Sequence, residues 1–185
     1  MLLWPLITRI YTKFNEKRKK KELIKKYTKY LNEKRKELAA EEKLQREIII
    51  ENLISLKDCL NMITHKNLSF WDKRINQNDF LVVRIGFGDE PLDVKYPEEG
   101  FSIEENDLKT QAETTVAEYK YIKNVPLGYS FYENKLTAVM GDKKLKNAFL
   151  NNVLLQLLTF YSYDDLKIVT FTNEKNKSNW EYLKY

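Results

Sequence analysis

The stretch Val139-Met140-Gly141-Asp142-Lys143-Lys144-Leu145-Lys146-Asn147-Ala148 sets a glycine and three lysines between an apolar strand-like run and the start of a helical pattern. A phosphate loop occupies such a position. Its chemistry assigns fixed roles: a second glycine five residues after the first lets backbone amides approach the phosphates, a lysine then reaches the β and γ oxygens, and a hydroxyl ligates magnesium. Counted from Gly141, these roles fall on Lys146, Asn147 and Ala148, and none is filled. Lys146 places a side chain where close backbone approach is required. Asn147 carries no positive charge and Ala148 no hydroxyl. Lys143, Lys144 and Lys146 are left with diffuse attraction for an anion at a helix N-terminus. The expectation is a degenerate loop, no cofactor, no metal site and no catalysis by this chain.

The other reactive side chains have structural readings. Asp164 and Asp165 precede an apolar run and read as a turn. His65 has no Ser, Cys or acidic neighbour in sequence to work with, and nothing beside Cys59 would activate a thiol. A single cysteine cannot form an intrachain disulfide, and one histidine with one cysteine does not build a structural zinc site. Tyr119, Tyr121 and the lysines between and after them read as a helix end packed on a sheet rather than a base-stacking platform.

Hydrophobic residues make up 43% of the 185 and aromatics 13%, enough for one buried core beside an extended element and against wholesale disorder. The charge is uneven. Residues 13 to 46 hold fourteen basic and six acidic side chains, about +8, so the remainder is slightly acidic. Lys17, Arg18, Lys19, Lys20 and Lys21 form the densest run. Before it lie Met1, Leu2, Leu3, Trp4, Leu6, Ile7 and Ile10, too few apolar residues to span a bilayer and in the wrong order for a signal peptide. An apolar stretch with an interfacial Trp4 followed by a basic cluster matches the cytoplasmic end of a transmembrane helix under the positive-inside rule, and places the basic run at an anionic membrane surface.

From about Leu6 to about Leu53 there is no glycine, proline beyond Pro5 is absent, and helix formers dominate. The reading is one long helix, with Lys13 to Glu51 on the order of 55 to 60 Å long. Ile24, Leu31 and Leu38 recur every seven residues, while Lys34, Glu41 and Gln45 interrupt the seam, so the helix needs a partner surface. Ile48, Ile49, Ile50 and Leu53 are the expected docking end. Beyond it the pattern predicts a strand over 80–87, a short partner strand over 91–96, a helix over 104–122, strands over 126–131 and 135–140, a helix over 145–160, a buried strand over 167–171 and a helix start at 178–182. Strand, helix and strand from Lys135 to Thr172 form a βαβ unit, which implies a parallel sheet. The fold class is α/β, with α+β as the variant: a long N-terminal stalk helix followed by a partial, degenerate P-loop-like domain.

Four blocks in order carry a family resemblance: LWPLITRIY (3–11), FWDKRINQNDFLVVRIGFG (70–88), AEYKYIKNVPLGYSF (117–131) and LLQLLTFYSYDDLKIVTFTNEKNKSNWEYLKY (154–185). Together they resemble the membrane-bound FtsK/SpoIIIE-type ATPases of type VII secretion, the EssC, YukB and EccC-like proteins of Gram-positive bacteria. The resemblance implies a segment from the end of a transmembrane helix (1–10), through a helical stalk (11–66), into a degenerate first ATPase-like domain (67–185, incomplete), with ATP used only by further domains. It implies a cell-membrane location on the cytoplasmic side and a non-catalytic role in scaffolding and coupling export. The implied partners are other secretion components, among them a small ubiquitin-like protein, further copies of the full-length chain, and the anionic membrane, without specific nucleic acid. A basic membrane-surface or nucleic-acid-binding module, and a fragment of a DNA-translocating ATPase, stand as alternatives.

Overall fold

A computed structural model of the chain describes residues 3–95 and 107–184. It holds the expected long helix, α1 (Leu3–Asn52), whose 50 residues reach about 75 Å at 1.5 Å per residue. Pro5 lies within its first turn, where a missing N–H costs nothing. Pairs one turn apart, Arg18–Glu22, Lys29–Glu33, Glu42–Arg46 and Lys43–Glu47, lace its surface. After α1 come α2 (Leu56–His65), β1 (Val82–Pro91), α3 (Asp107–Glu118), β2 (Tyr121–Ser130), α4 (Lys143–Phe160) and a closing 3₁₀ helix (Glu174–Lys184). β1 and β2 form a two-stranded antiparallel sheet. Phe131 N–H donates to the Leu81 carbonyl at one end and Leu92 N–H to the Lys120 carbonyl at the other.

The chain makes two compact units, Met1–Asn52 with Phe87–Leu127, and Leu53–Gly86 with Gly128–Tyr185. In the first, α1 lies along α3. From Thr8 to Lys26 every residue of α1 is exposed; from Tyr27 onward a stripe is partly or fully buried every three to four residues. Leu38 and Ile49 from that stripe pack on Leu92, Ile122 and Val125, and Leu31 is itself buried. Ile49 is therefore the docking residue of its trio, while Ile48 and Ile50 face solvent. Gln45, which breaks the apolar seam in sequence, docks by hydrogen bonding: its side-chain amide donates to the Asp93 carbonyl and accepts from the Asp93 N–H, both at 3.0 Å. Arg35 Nε donates to Thr115 Oγ1 of α3 at 3.0 Å, and Arg46 to the Lys123 carbonyl at 3.0 Å.

In the second unit α2 packs on α4 around Cys59, Phe160 and Tyr161. Ser55 and Asp58 close a reciprocal capping box at the start of α2, and Lys66 ends it in the left-handed conformation. The carbonyls at the end of α4 are met by the segment that follows α2: Trp71 N–H donates to Thr159, the Trp71 indole to Leu158, and Lys73 N–H to Phe160. A Cβ at position 128 would come within 3.1 Å of Val82 Cγ1 and 3.4 Å of a Leu53 methyl, so Gly128 leaves room for both side chains.

Mixed α/β content stands, but the expected βαβ unit does not form. Residues 135–140 and 167–171 are not strands; among the described residues they make no backbone ladder, and Val169 and Phe171 are 74% and 94% exposed rather than buried. A strand pattern states fitness for a sheet, and without neighbouring strands to accept its hydrogen bonds the backbone stays solvated. The expected partner strand over 91–96 is likewise absent for 91–95 beyond the last residue of β1; Tyr96, and residues 104–106 of the expected helix, lie outside the described residues. The helix predicted to run to Ile122 stops at Glu118, because Tyr121 and Ile122 begin β2. The helix start expected at 178–182 is 3₁₀ rather than α.

Candidate functional site

The strand-like run 135–140, Gly141 and α4 meet β2 in the second unit. Gly141 has φ +145°, a conformation that disfavours any side chain although nothing lies within 4 Å of where one would project. Asp142 then caps α4: its Oδ1 accepts from Lys144 N–H at 2.9 Å and from Leu145 N–H at 3.4 Å. Those are the amides a phosphate would use. A carboxylate already occupies them, so an incoming phosphate meets both a filled donor set and a like charge. Lys143 and Lys144 are exposed in the first turn of α4, and Lys143 Nζ donates to Asn176 Oδ1 at 3.4 Å. Lys146 and Asn147 are half-buried and Ala148 is exposed. Beside this loop runs a groove of about 450 Å³, lined by Ile85, Phe131, Met140, Leu145 and Phe149 together with Asp142 and Lys146. The sequence mismatch identifies the unfilled roles but passes over Asp142, whose signal was an aspartate immediately before a helix.

The other sequence-level candidates are dispersed. Trp4, Lys17, Arg18, Lys19, Lys20 and Lys21 are all exposed on α1; Arg18 pairs with Glu22 at 3.6 Å, and the Trp4 carbonyl accepts from Thr8 Oγ1. Asp165 accepts from Ser162 Oγ at 2.8 Å and pairs with Arg74 at 3.0 Å, a turn and a tether. His65 Nδ1 contacts the Asn61 carbonyl at 3.0 Å within α2. Cys59 is fully buried, and burial pushes its thiol above the ordinary value, against a smaller opposing contribution from a hydrogen bond with Thr159, so it is a poor nucleophile. No group of three or more His, Cys, Asp or Glu side chains suited to a metal exists among the described residues.

Sequence reasoning also missed Gln156, which is 2% exposed on α4. Its Oε1 accepts from Arg84 N–H and its Nε2 donates to the Arg84 carbonyl, both at 2.8 Å, with a further donation to Asn152 Oδ1 at 2.9 Å. Gln156 thus engages β1 in the second unit as Gln45 engages Asp93 in the first. No local pattern marks such a glutamine, since its partner lies 72 residues away.

With this geometry in hand, the known proteins are informative. The chain is 28% identical over 162 residues to the ESX secretion system protein EccC of Geobacillus thermodenitrificans, covering 86% of this chain and 11% of that protein. It is 27% identical over 192 residues to the ESX secretion system protein YukB of Bacillus subtilis, covering all of this chain and 13% of that protein. It is 25% identical over 182 residues to the type VII secretion system protein EssC of Staphylococcus aureus, covering 95% of this chain and 12% of that protein. Over most of its length the chain is EssC/EccC-like. It spans about an eighth of the length of these curated relatives. No family model matches it. Among the described residues no helix of this EssC/EccC-like chain is long and apolar enough to cross a membrane.

Proposed function

We propose that the chain is a non-catalytic stalk and pseudo-ATPase region of a membrane-anchored type VII secretion ATPase, acting in scaffolding and in coupling of export. The similarity to type VII and ESX secretion proteins supplies the system. The observation that carries the non-catalytic part is Asp142 on the α4 amides beside unfilled roles at Lys146, Asn147 and Ala148. In this reading residues 11–66 are the stalk and 67–185 belong to the degenerate domain. Trp4 and the Lys17–Lys21 run meet the cytoplasmic face of the cell membrane, and the partners are other secretion components, a small ubiquitin-like protein and further copies of the full-length chain. The test is calorimetric titration with ATP and magnesium at physiological salt, followed by phosphate release. No saturable binding and no turnover are expected. Micromolar binding lost in Gly141→Val, or turnover lost with it, overturns the reading.

A further inference from the structure

The basic residues of α1 are sorted by side as well as by position. At 3.6 residues per turn, Arg18, Lys25, Lys29, Lys36 and Lys43 fall within about 40° of one line along the helix, a basic seam about 38 Å long, and no other residue between 18 and 43 shares that arc. The stripe that docks in the first unit, which includes Leu31, Arg35, Leu38, Gln45 and Ile49, lies roughly 140° away around the helix, so the seam is turned from α3. All five seam residues are exposed. Arg18, Lys29 and Lys43 pair with Glu22, Glu33 and Glu47 at 3.6, 3.8 and 3.9 Å, surface pairs one turn apart that hold weakly. Lys25 and Lys36 make no ion pair among the described residues. A hollow of about 480 Å³ lies along the seam, lined by Lys25, Thr28, Lys29, Asn32, Glu33 and Lys36. Toward the start of α1 the same side turns apolar. Trp4, Tyr11 and Phe14 lie within about 50° of the seam's line and Ile10 within about 80°, whereas Arg9, Thr12, Lys13 and Glu16 fall on the other side. These four apolar side chains are 63% to 79% exposed.

We propose that α1 lies lengthwise on an anionic bilayer, with Trp4, Ile10, Tyr11 and Phe14 at the headgroup boundary and Arg18, Lys25, Lys29, Lys36 and Lys43 over lipid phosphates. The inference rests on the membrane contact proposed for Trp4 and the Lys17–Lys21 run, and extends that contact along the helix. Helices that lie in a membrane interface join an apolar, aromatic-bearing side to long basic side chains that reach the headgroups. A straight seam of bases suits a plane of negative charge, because each base gains from the surface field whichever lipid stands beneath it, and a weak pair with a neighbouring glutamate does not outweigh that gain. An acidic partner helix fits less well: the seam gives it no apolar residue to bury, and exposed charge pairs alone hold little. A nucleic-acid duplex would take up the bases and leave Ile10 and Phe14 in water. Seated on this side, α1 keeps α3 turned away from the bilayer.

The probe is a vesicle of phosphatidylcholine and phosphatidylserine added to the full chain, with phosphatidylcholine alone as the uncharged control and a DNA duplex at the same ionic strength as a further arm. Acylation of lysine side chains, mapped by mass spectrometry, reads which side of α1 is covered. Lys25, Lys29, Lys36 and Lys43 are expected to be protected severalfold by the charged vesicles, with Lys20 and Lys34 on the other side unchanged. Lys36→Gln combined with Lys43→Gln should lower vesicle affinity about tenfold or more, and Lys26→Gln combined with Lys34→Gln, an equal loss of charge, less than about threefold. Circular dichroism of each variant keeps a lost helix from being read as lost binding. Protection confined to Lys17–Lys21 with Lys36 and Lys43 as reactive as before, or equal effects of the two double substitutions, overturns the lengthwise placement and leaves the contact at the start of α1 standing. No binding to the charged vesicles overturns that contact as well. Tighter binding to DNA than to vesicles, lost with Lys36 and Lys43, overturns the assignment of the seam to lipid.

Discussion

Replacing Gln156 by methionine keeps the length and shape of a nearly buried side chain and removes three hydrogen bonds, two of them to the N–H and carbonyl of Arg84. A buried donor or acceptor stripped of its partner costs about 1–3 kcal/mol. Both bonds to Arg84 are partly buried rather than fully enclosed, so the two groups together should cost about 2–4 kcal/mol rather than the upper sum. Burying an apolar side chain in place of the amide returns about 1 kcal/mol, less than full side-chain transfer because the site was already shielded. The net expectation is a loss of about 1–3 kcal/mol. The same change at Gln45, whose partner Asp93 is solvent-exposed, should cost about 0.5–1 kcal/mol, because water replaces the lost amide. Urea unfolding reads the totals, and hydrogen exchange at the Arg84 amide reads the local term, with about tenfold faster exchange for each 1.4 kcal/mol of local opening. Stability unchanged in Gln156→Met, with Arg84 exchange as slow as before, would refute the view that this glutamine fastens β1 to α4.

Asp142→Ala removes the cap of α4 and should cost about 1 kcal/mol in thermal or urea unfolding, without creating ATP binding, since Lys146, Asn147 and Ala148 are unchanged. Alkaline pH should weaken the second unit. Burial raises both the Cys59 thiol and the Tyr161 phenol above their ordinary values of 9.0 and 10.0. For neutral acids so raised, the unfolded chain loses its protons first, so their contribution is complete below those ordinary values and falls as pH climbs past them. Cys59→Ala should flatten the first part of that decline in pH-dependent denaturation and leave the Tyr161 part. Replacing Lys19, Lys20 and Lys21 by Gln should weaken binding to anionic vesicles at low salt by up to about 1 kcal/mol per residue, an effect that added salt erases; vesicle sedimentation unchanged by the triple substitution counts against membrane contact by this run.

The helices were legible because their determinants are local. Fifty residues of helix formers interrupted only by Pro5 in the first turn need no distant partner to be read, and neither does the apolar run that became α4. Strands are different, since a run such as Lys167 to Phe171 carries the same β-branched and aromatic signal whether or not another strand stands ready to pair with it. Its exposure follows from the missing neighbour, not from the run itself. Tyr121 and Ile122 show the opposite error. They continue the helical spacing of Leu108, Ala112, Val116 and Tyr119, yet β1 offers them ladder partners and they join β2, with Asn124 taking a left-handed turn of backbone that a helix would not contain.

At the candidate site the residues that were missing could be counted, but the residue that takes their place had to be seen. A mismatched loop alone leaves α4 with open amides and three lysines, a weak anion site that salt would abolish. Asp142 changes that account, because its carboxylate supplies the helix N-terminus with the negative charge a phosphate would bring, from within the chain and at no cost in association entropy. Restoring Gly, Lys and Thr at positions 146, 147 and 148 would therefore still leave a self-capped helix competing with the nucleotide. With the amides capped from within, the lysines at this end of α4 have no phosphate to serve.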